Sequence, residues 1–338
     1  MFSQKKSHTS EESQEHQLGH SHTHGTIDPA LLTTERGNWA VKWSFIGLAA
    51  TAIFQGVIVF FSGSVALLAD TIHNIADAAT AIPLWIAFTL ARRQPSPRFT
   101  HGYGRLEDVA GLIIVLTILF SAVLAGYQSI NRLMHPQTIQ HLGAVAVASL
   151  IGFAGNEIVA VFRIRVGKEI NSAALVADGY HARMDGLTSL GVLFSAVGVW
   201  LGYPLADPIT GIVITAAILP IVWESGKAVF TRLLDGVDPD VSDEIPHALN
   251  QAQGVHGVTE VRLRWSGHRL HAEINLAVNP KLSVADGHAI AVEARHQLLH
   301  HLPYLSTVTI HVDPEHLSGE EHHGMEHSHG DLSIHSHR

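Results

Sequence analysis

The sequence predicts an α-helical membrane protein with six transmembrane helices followed by a small α+β domain, and three observations carry that expectation. Hydrophobic residues make up 46% of the 338 residues, whereas Asp, Glu, Lys and Arg make up 15%, well under the roughly 25% of an average soluble domain. The apolar residues are gathered between Trp39 and Phe230, in runs of about 20, the length that crosses a bilayer core as a helix. Past Asp235-Gly236-Val237-Asp238-Pro239 the chain turns polar, and strand-like and helix-like stretches alternate.

Residues 1–36 are polar and contain His20, His22 and His24. They lack the basic stretch and apolar core of a signal peptide, so they read as a disordered tail. The membrane domain occupies 37–235, with spans near 39–61, 64–91, 107–131, 141–164, 172–201 and 205–224. The first and fifth connections, around Ser62-Gly63-Ser64 and Gly202-Tyr203-Pro204, are short enough to make antiparallel hairpins. Residues 236–316 read as αββαβ. A helix capped by Ser242 runs to about Gln253, strands cover Gly257–Trp265 and Arg269–Val278 around the turn Ser266-Gly267-His268, a helix opened by Ser283 runs to about Leu302, and Thr307–Val312 is the third strand. Residues 317–338 form a second disordered tail with His322, His323, His327, His329, His335 and His337.

Basic residues in the connections set the orientation. The second carries Arg92, Arg93, Arg98 and Arg105, the fourth Arg163, Arg165 and Lys168, and the third only Arg132. Connections two and four then face the cytoplasm, as do both termini. The absence of targeting signals and the histidine tails fit a bacterial inner membrane.

The formal charge of −9 argues against a nucleic-acid partner. Cysteine is absent, which excludes disulfides, thiolate zinc sites and thiol catalysis. A transition-metal site must therefore use imidazole and carboxylate. The 26 histidines place a large change in charge near neutrality.

The polar residues inside the spans repeat. Span two contains Asp70-Thr71-Ile72-His73-Asn74-Ile75-Ala76-Asp77, and span five contains Asp178-Gly179-Tyr180-His181-Ala182-Arg183-Met184-Asp185. Both read D-x-x-H-x-x-x-D, and positions i, i+3 and i+7 share a helix face. Each histidine lies about nine residues into its span, or roughly 14 Å at 1.5 Å per residue, so the antiparallel pair meets near the midplane. Matching polar motifs at mid-membrane are the mark of a transporter site. His73, Asp77, His181 and Asp185 supply two nitrogen and two oxygen donors, a set suited to a tetrahedral divalent cation, Zn²⁺ first. Two carboxylates balance its charge in a medium where unbalanced charge is costly. Asp70 and Asp178, one turn away, read as outer-layer or entry-path groups. Arg183 points off the ligand stripe, with Glu157 in span four as its expected partner.

With these motifs, six spans and an αββαβ tail, residues 39–315 resemble the cation diffusion facilitator family. The resemblance implies a homodimeric antiporter that moves Zn²⁺ or a similar divalent ion out of the cytoplasm against protons. It also implies a metallochaperone-like C-terminal domain that dimerises and senses metal. Further ligand positions follow from it: His101 in the second connection, where Gln94 and Pro97 depart from the family pattern, and His288, His311 and Asp313 in the C-terminal domain, where Thr259 and Asn275 replace histidines. His268 and His271 are weaker ligand candidates.

No cofactor is called for beyond the transported and regulatory ion, and Co²⁺, Cd²⁺, Ni²⁺ and Fe²⁺ suit the same donors. The partners are the metal, protons, the lipid bilayer and a second copy of the chain. An intramembrane metalloprotease would need H-E-x-x-H, which does not occur, so an enzyme is not expected. The alternative class is a membrane metal sensor that binds without transporting.

Overall fold

The computed structural model describes residues 29–62, 81–134, 142–203, 205–249, 252–318, 325–327 and 335–337. Six helices come first: α1 Pro29–Ser62, α2 Ala81–Ala91, α3 Arg105–Met134, α4 Leu142–Glu169, α5 Ala173–Trp200 and α6 Ala206–Leu233. Four of the described helices, α1, α3, α4 and α6, are long and apolar enough to cross a membrane. The α5 helix has the same length as α4, but its first half carries Asp178, Arg183 and Asp185. Most of the second expected span, including Asp70, His73 and Asp77, lies outside the described residues; its described part is α2.

The membrane domain turns large apolar side chains outward. Phe54, Phe120, Ile158 and Trp223 are all strongly exposed, which suits a surface facing lipid tails rather than water. Its interior holds large apolar side chains such as Leu84, Phe88, Ile114 and Leu175, and small residues make the closest helix contacts. The α4 and α5 helices pack along their lengths and touch backbone to backbone: a Cβ on Gly179 would lie 2.9 Å from the Ile164 nitrogen, and one on Gly167 would lie 2.9 Å from the Val176 nitrogen. Small residues permit such approach in membranes, where dispersion rather than water expulsion holds helices together.

Two expectations about this domain change. The fourth connection is only residues 170–172, turned by Asn171 in a left-handed conformation (φ 56°). Arg163, Arg165 and Lys168 therefore belong to α4 rather than to a loop, and Arg163 is buried. The first helix begins at Pro29, inside the stretch read as a tail. Proline suits a first helical turn because its missing N–H would have no partner there, and Thr34 is buried against the C-terminal domain.

The C-terminal domain consists of α7 Pro239–Leu249, β1 Gly257–Ser266, β2 Arg269–Val278, α8 Val284–His301 and β3 Leu305–Pro314. This is the expected αββαβ order. The α7 helix starts earlier than expected because Asp238 accepts the Asp240 backbone N–H (3.2 Å) and Pro239 opens the helix, so Ser242 lies inside it. The cap expected at Ser283 is present, its hydroxyl accepting the Asp286 N–H at 3.2 Å. Strands β1 and β2 pair antiparallel up to Ser266–Arg269, around Gly267 at φ 62°. Strand β3 joins β2 in parallel after the α8 crossover. The helices pack on the sheet through Ile245, Leu249, Leu298, Ile274 and Leu276. Where the composition of the second tail led us to expect no regular structure, β4 Met325–His327 and β5 His335–His337 pair antiparallel.

Candidate metal centre

The described half of the intramembrane constellation sits on α5. Ser172 caps this helix by accepting the Leu175 N–H at 3.1 Å, which fixes the start of the D-x-x-H-x-x-x-D stripe. His181 and Asp185 stand one turn apart, with Nδ1 and Oδ1 3.9 Å from each other and both side chains shielded, at 2% and 11% exposure. Among the described residues, no three His, Asp or Glu side chains gather as a metal would require. The companion ligands expected at His73 and Asp77, and the nearby Asp70, lie outside the described residues.

The other charges of α5 are matched by α4. Arg183 donates two hydrogen bonds to Glu157, at 2.7 and 3.2 Å, the partner expected from the sequence. Asp178 meets Arg163 Nη1 at 3.0 Å, with both side chains essentially inaccessible. The Gly179–Ile164 approach, one residue from each of them, brings these two groups together. Asp178 thus has a structural partner that the sequence did not reveal, because Arg163 was counted as a loop cation.

In the C-terminal domain, His311 Nε2 lies 2.8 Å from Asp313 Oδ1. His288 lies in the second turn of α8, next to Gly287, which packs beside Val312 between these two residues. Asn275 pairs with His311 across the β2–β3 ladder. Thr259 hydrogen-bonds Ser318 at 2.7 Å and donates to the Asn275 carbonyl at 3.3 Å. His101 is exposed, and its Nδ1 is 3.4 Å from Arg264 Nη2. A guanidinium beside that ring disfavours a bound cation there.

His268 has a different task from the ligand role expected of it. It occupies the tip of the β1–β2 hairpin, which docks between helices. Its Nδ1 lies 2.6 Å from Glu107 Oε2 and its Nε2 3.0 Å from Thr34 Oγ1; its backbone N–H also reaches Glu107. Arg269 donates to the same Thr34 oxygen at 2.9 Å. The ring thus bridges the Glu107 carboxylate and the Thr34 hydroxyl, Nδ1–H donating to the carboxylate. The Gly267 N–H donates to Asp108 at 3.0 Å. Arg232 donates to the Gly267 and Asn171 carbonyls and lies 4.4 Å above the Trp265 ring. Arg105 pairs with Asp235. Glu107 and Asp108 fall at the start of the expected third span, and nothing local in the sequence points from there to residue 268. His271 lies on β2 near Arg264 and Arg269. Burial, then these cations, push its imidazole down to about 4.

Two family models cover most of the chain: the cation efflux transmembrane domain matches residues 41–234 and the cation efflux protein cytoplasmic domain matches 237–315. The chain belongs to the cation efflux family. A Mycobacterium tuberculosis protein described as a probable cation efflux system protein is 55% identical over 87% of this chain and 89% of its own length. The manganese efflux system protein MneP of Bacillus subtilis is 26% identical over 84% of this chain and 99% of its own. A cadmium, cobalt and zinc/H(+)-K(+) antiporter of Bacillus velezensis is 26% identical over 83% and 88%. This family member is therefore an integral membrane protein for divalent metal cation efflux, a transporter rather than an enzyme, and metal ions are its substrate.

Proposed function

We propose that the chain exports Zn²⁺ from the cytoplasm in exchange for protons by alternating access, through His73, Asp77, His181 and Asp185. The observation that carries this reading is the buried imidazole–carboxylate pair on α5, set on a helix whose remaining first-half charges are matched by α4. Two such pairs from antiparallel helices make a four-donor site that can replace the hydration shell of a small divalent ion. Binding needs neutral imidazole and ionised carboxylate, so loading releases protons and protonation from the far side expels the ion. Co²⁺, Cd²⁺, Ni²⁺ and Fe²⁺ are the alternative cargoes for these donors. Six spans with both termini in the cytoplasm of a bacterial cell, and a dimer formed through the C-terminal domain, complete the reading. His288, His311 and Asp313 hold a regulatory ion, and the histidine tails collect metal.

The test is flux in sealed proteoliposomes, with internal Zn²⁺ and internal pH recorded together. Zinc entry with opposite proton movement in the wild type, lost in Asp185→Ala, supports the proposal. Zinc binding without wild-type flux, in vesicles holding folded protein, overturns it in favour of a sensor.

A further inference from the structure

We propose that a cleft between the start of α1 and the end of α2 binds the phosphate of an anionic phospholipid, in the leaflet on the C-terminal-domain side. The cleft is a shallow, open depression of about 520 Å³ and presents three cations, Arg36, Lys42 and Arg92, against one acid, Glu35. Arg92 meets Glu35 at 3.0 Å, and Arg36 meets Glu169 at 3.4 Å while its guanidinium lies 4.6 Å above the Trp39 ring. Among the described residues no carboxylate reaches Lys42, although it sits within the α1 membrane stretch. A cation at that depth is costly without an anionic partner or a path to the headgroups.

The depth is marked twice. Thr34, two residues before Arg36, touches the C-terminal domain, and the exposed Trp39 and Trp85 flank the cleft. Tryptophan favours the headgroup level of a bilayer, and basic pockets between helices at that level attract anionic headgroups. Towards the membrane interior the cleft is continued by exposed apolar side chains, Trp43 and Ile46 on α1 and Ile82 and Ile86 on α2. Acyl chains can lie along that surface while the phosphate meets Lys42. A free phosphate gains nothing from it, and a choline headgroup would set its own cation against the cleft. The inference rests on α1 and α2 meeting the bilayer and is independent of the metal carried.

Native mass spectrometry of the full chain in detergent reads lipid retention directly. Phosphatidylglycerol should be retained about tenfold better than phosphatidylcholine of the same chains, Lys42→Gln should cut that preference roughly five- to tenfold, and Lys42→Arg should keep it. Equal retention of the two lipids overturns the proposal. So does unchanged preference in a folded Lys42→Gln, or displacement by millimolar inorganic phosphate, which would mark a free-anion site. If Lys42→Gln does not fold, brominated phosphatidylglycerol decides: it should quench wild-type tryptophan fluorescence more than that of the Trp39→Phe/Trp85→Phe variant. Equal quenching overturns the assignment.

Discussion

In the membrane domain Arg163 and Asp178 are buried while Phe120 and Trp223 stand 69% and 73% exposed; in the C-terminal domain Leu270, Ile274 and Leu276 are sealed, and Arg262–Glu260 and Arg264–Glu273 pair at the surface. Both regions keep an apolar interior, but their outer surfaces differ because they meet different solvents. Lipid tails do not drive apolar groups inward, so the membrane helices cohere through close packing of side chains such as Phe88 and Ile114, glycine contacts and matched charges. Water does drive them inward, so the α+β domain coheres by apolar burial.

The largest break in that comparison is expected from Asp178→Ala. It leaves Arg163 buried without its partner, a loss on the order of 3–5 kcal/mol, read as a collapse in folded yield and thermal midpoint. Arg163→Met/Asp178→Ala should recover most of it, because an apolar pair of similar volume removes the stranded charge. Failure of that rescue would mean that the pair does more than neutralise itself.

Next come two truncations of apolar side chains. Leu276→Ala empties the C-terminal core and should cost about 2–5 kcal/mol. Phe120→Ala faces outward from α3 and should change the unfolding midpoint of the reconstituted protein by little. Equal losses in both would show that Phe120 packs against protein.

A further effect concerns pH. His271 is held at about 4 by burial and by Arg264 and Arg269, against about 6.5 in an unfolded chain. The unfolded state then binds the extra proton between those values, so this contribution to stability is whole above about pH 6.5 and drains away as pH falls towards 4. A His271→Gln variant should lose less stability than wild type over that interval in parallel thermal melts. Identical slopes would show that the ring is not held neutral.

Much of this was legible beforehand for reasons that differ by region. Strand alternation and the turn at Gly267 located all three long strands within a few residues, because a half-buried sheet imposes its period on the side chains. The Arg183–Glu157 pair was legible because a membrane charge off the ligand stripe needs a counter-charge at similar depth. The partner of Asp178 was not, since Arg163, at the very end of the expected span 141–164, was counted with the connection's cations, whereas the helix continues to Glu169. The docking of His268 was not legible either. It joins residues 34, 107 and 268, and no local pattern encodes contacts so distant in sequence.

That joint gives the C-terminal sheet the mechanics of a lever. The hairpin tip is pinned to α1 by Thr34, to α3 by Glu107 and Asp108, and to α6 by Arg232. At about 3.3 Å per residue, a ten-residue strand carries its far end roughly 30 Å from the mount. A tilt of about 5° at the tip would sweep that end by roughly 3 Å, given the strand length set by its rise. A change in the angle between α3 and α6 would be magnified at the opposite end of the sheet, and a ligand clamping that end would restrain the helices with the same mechanical advantage.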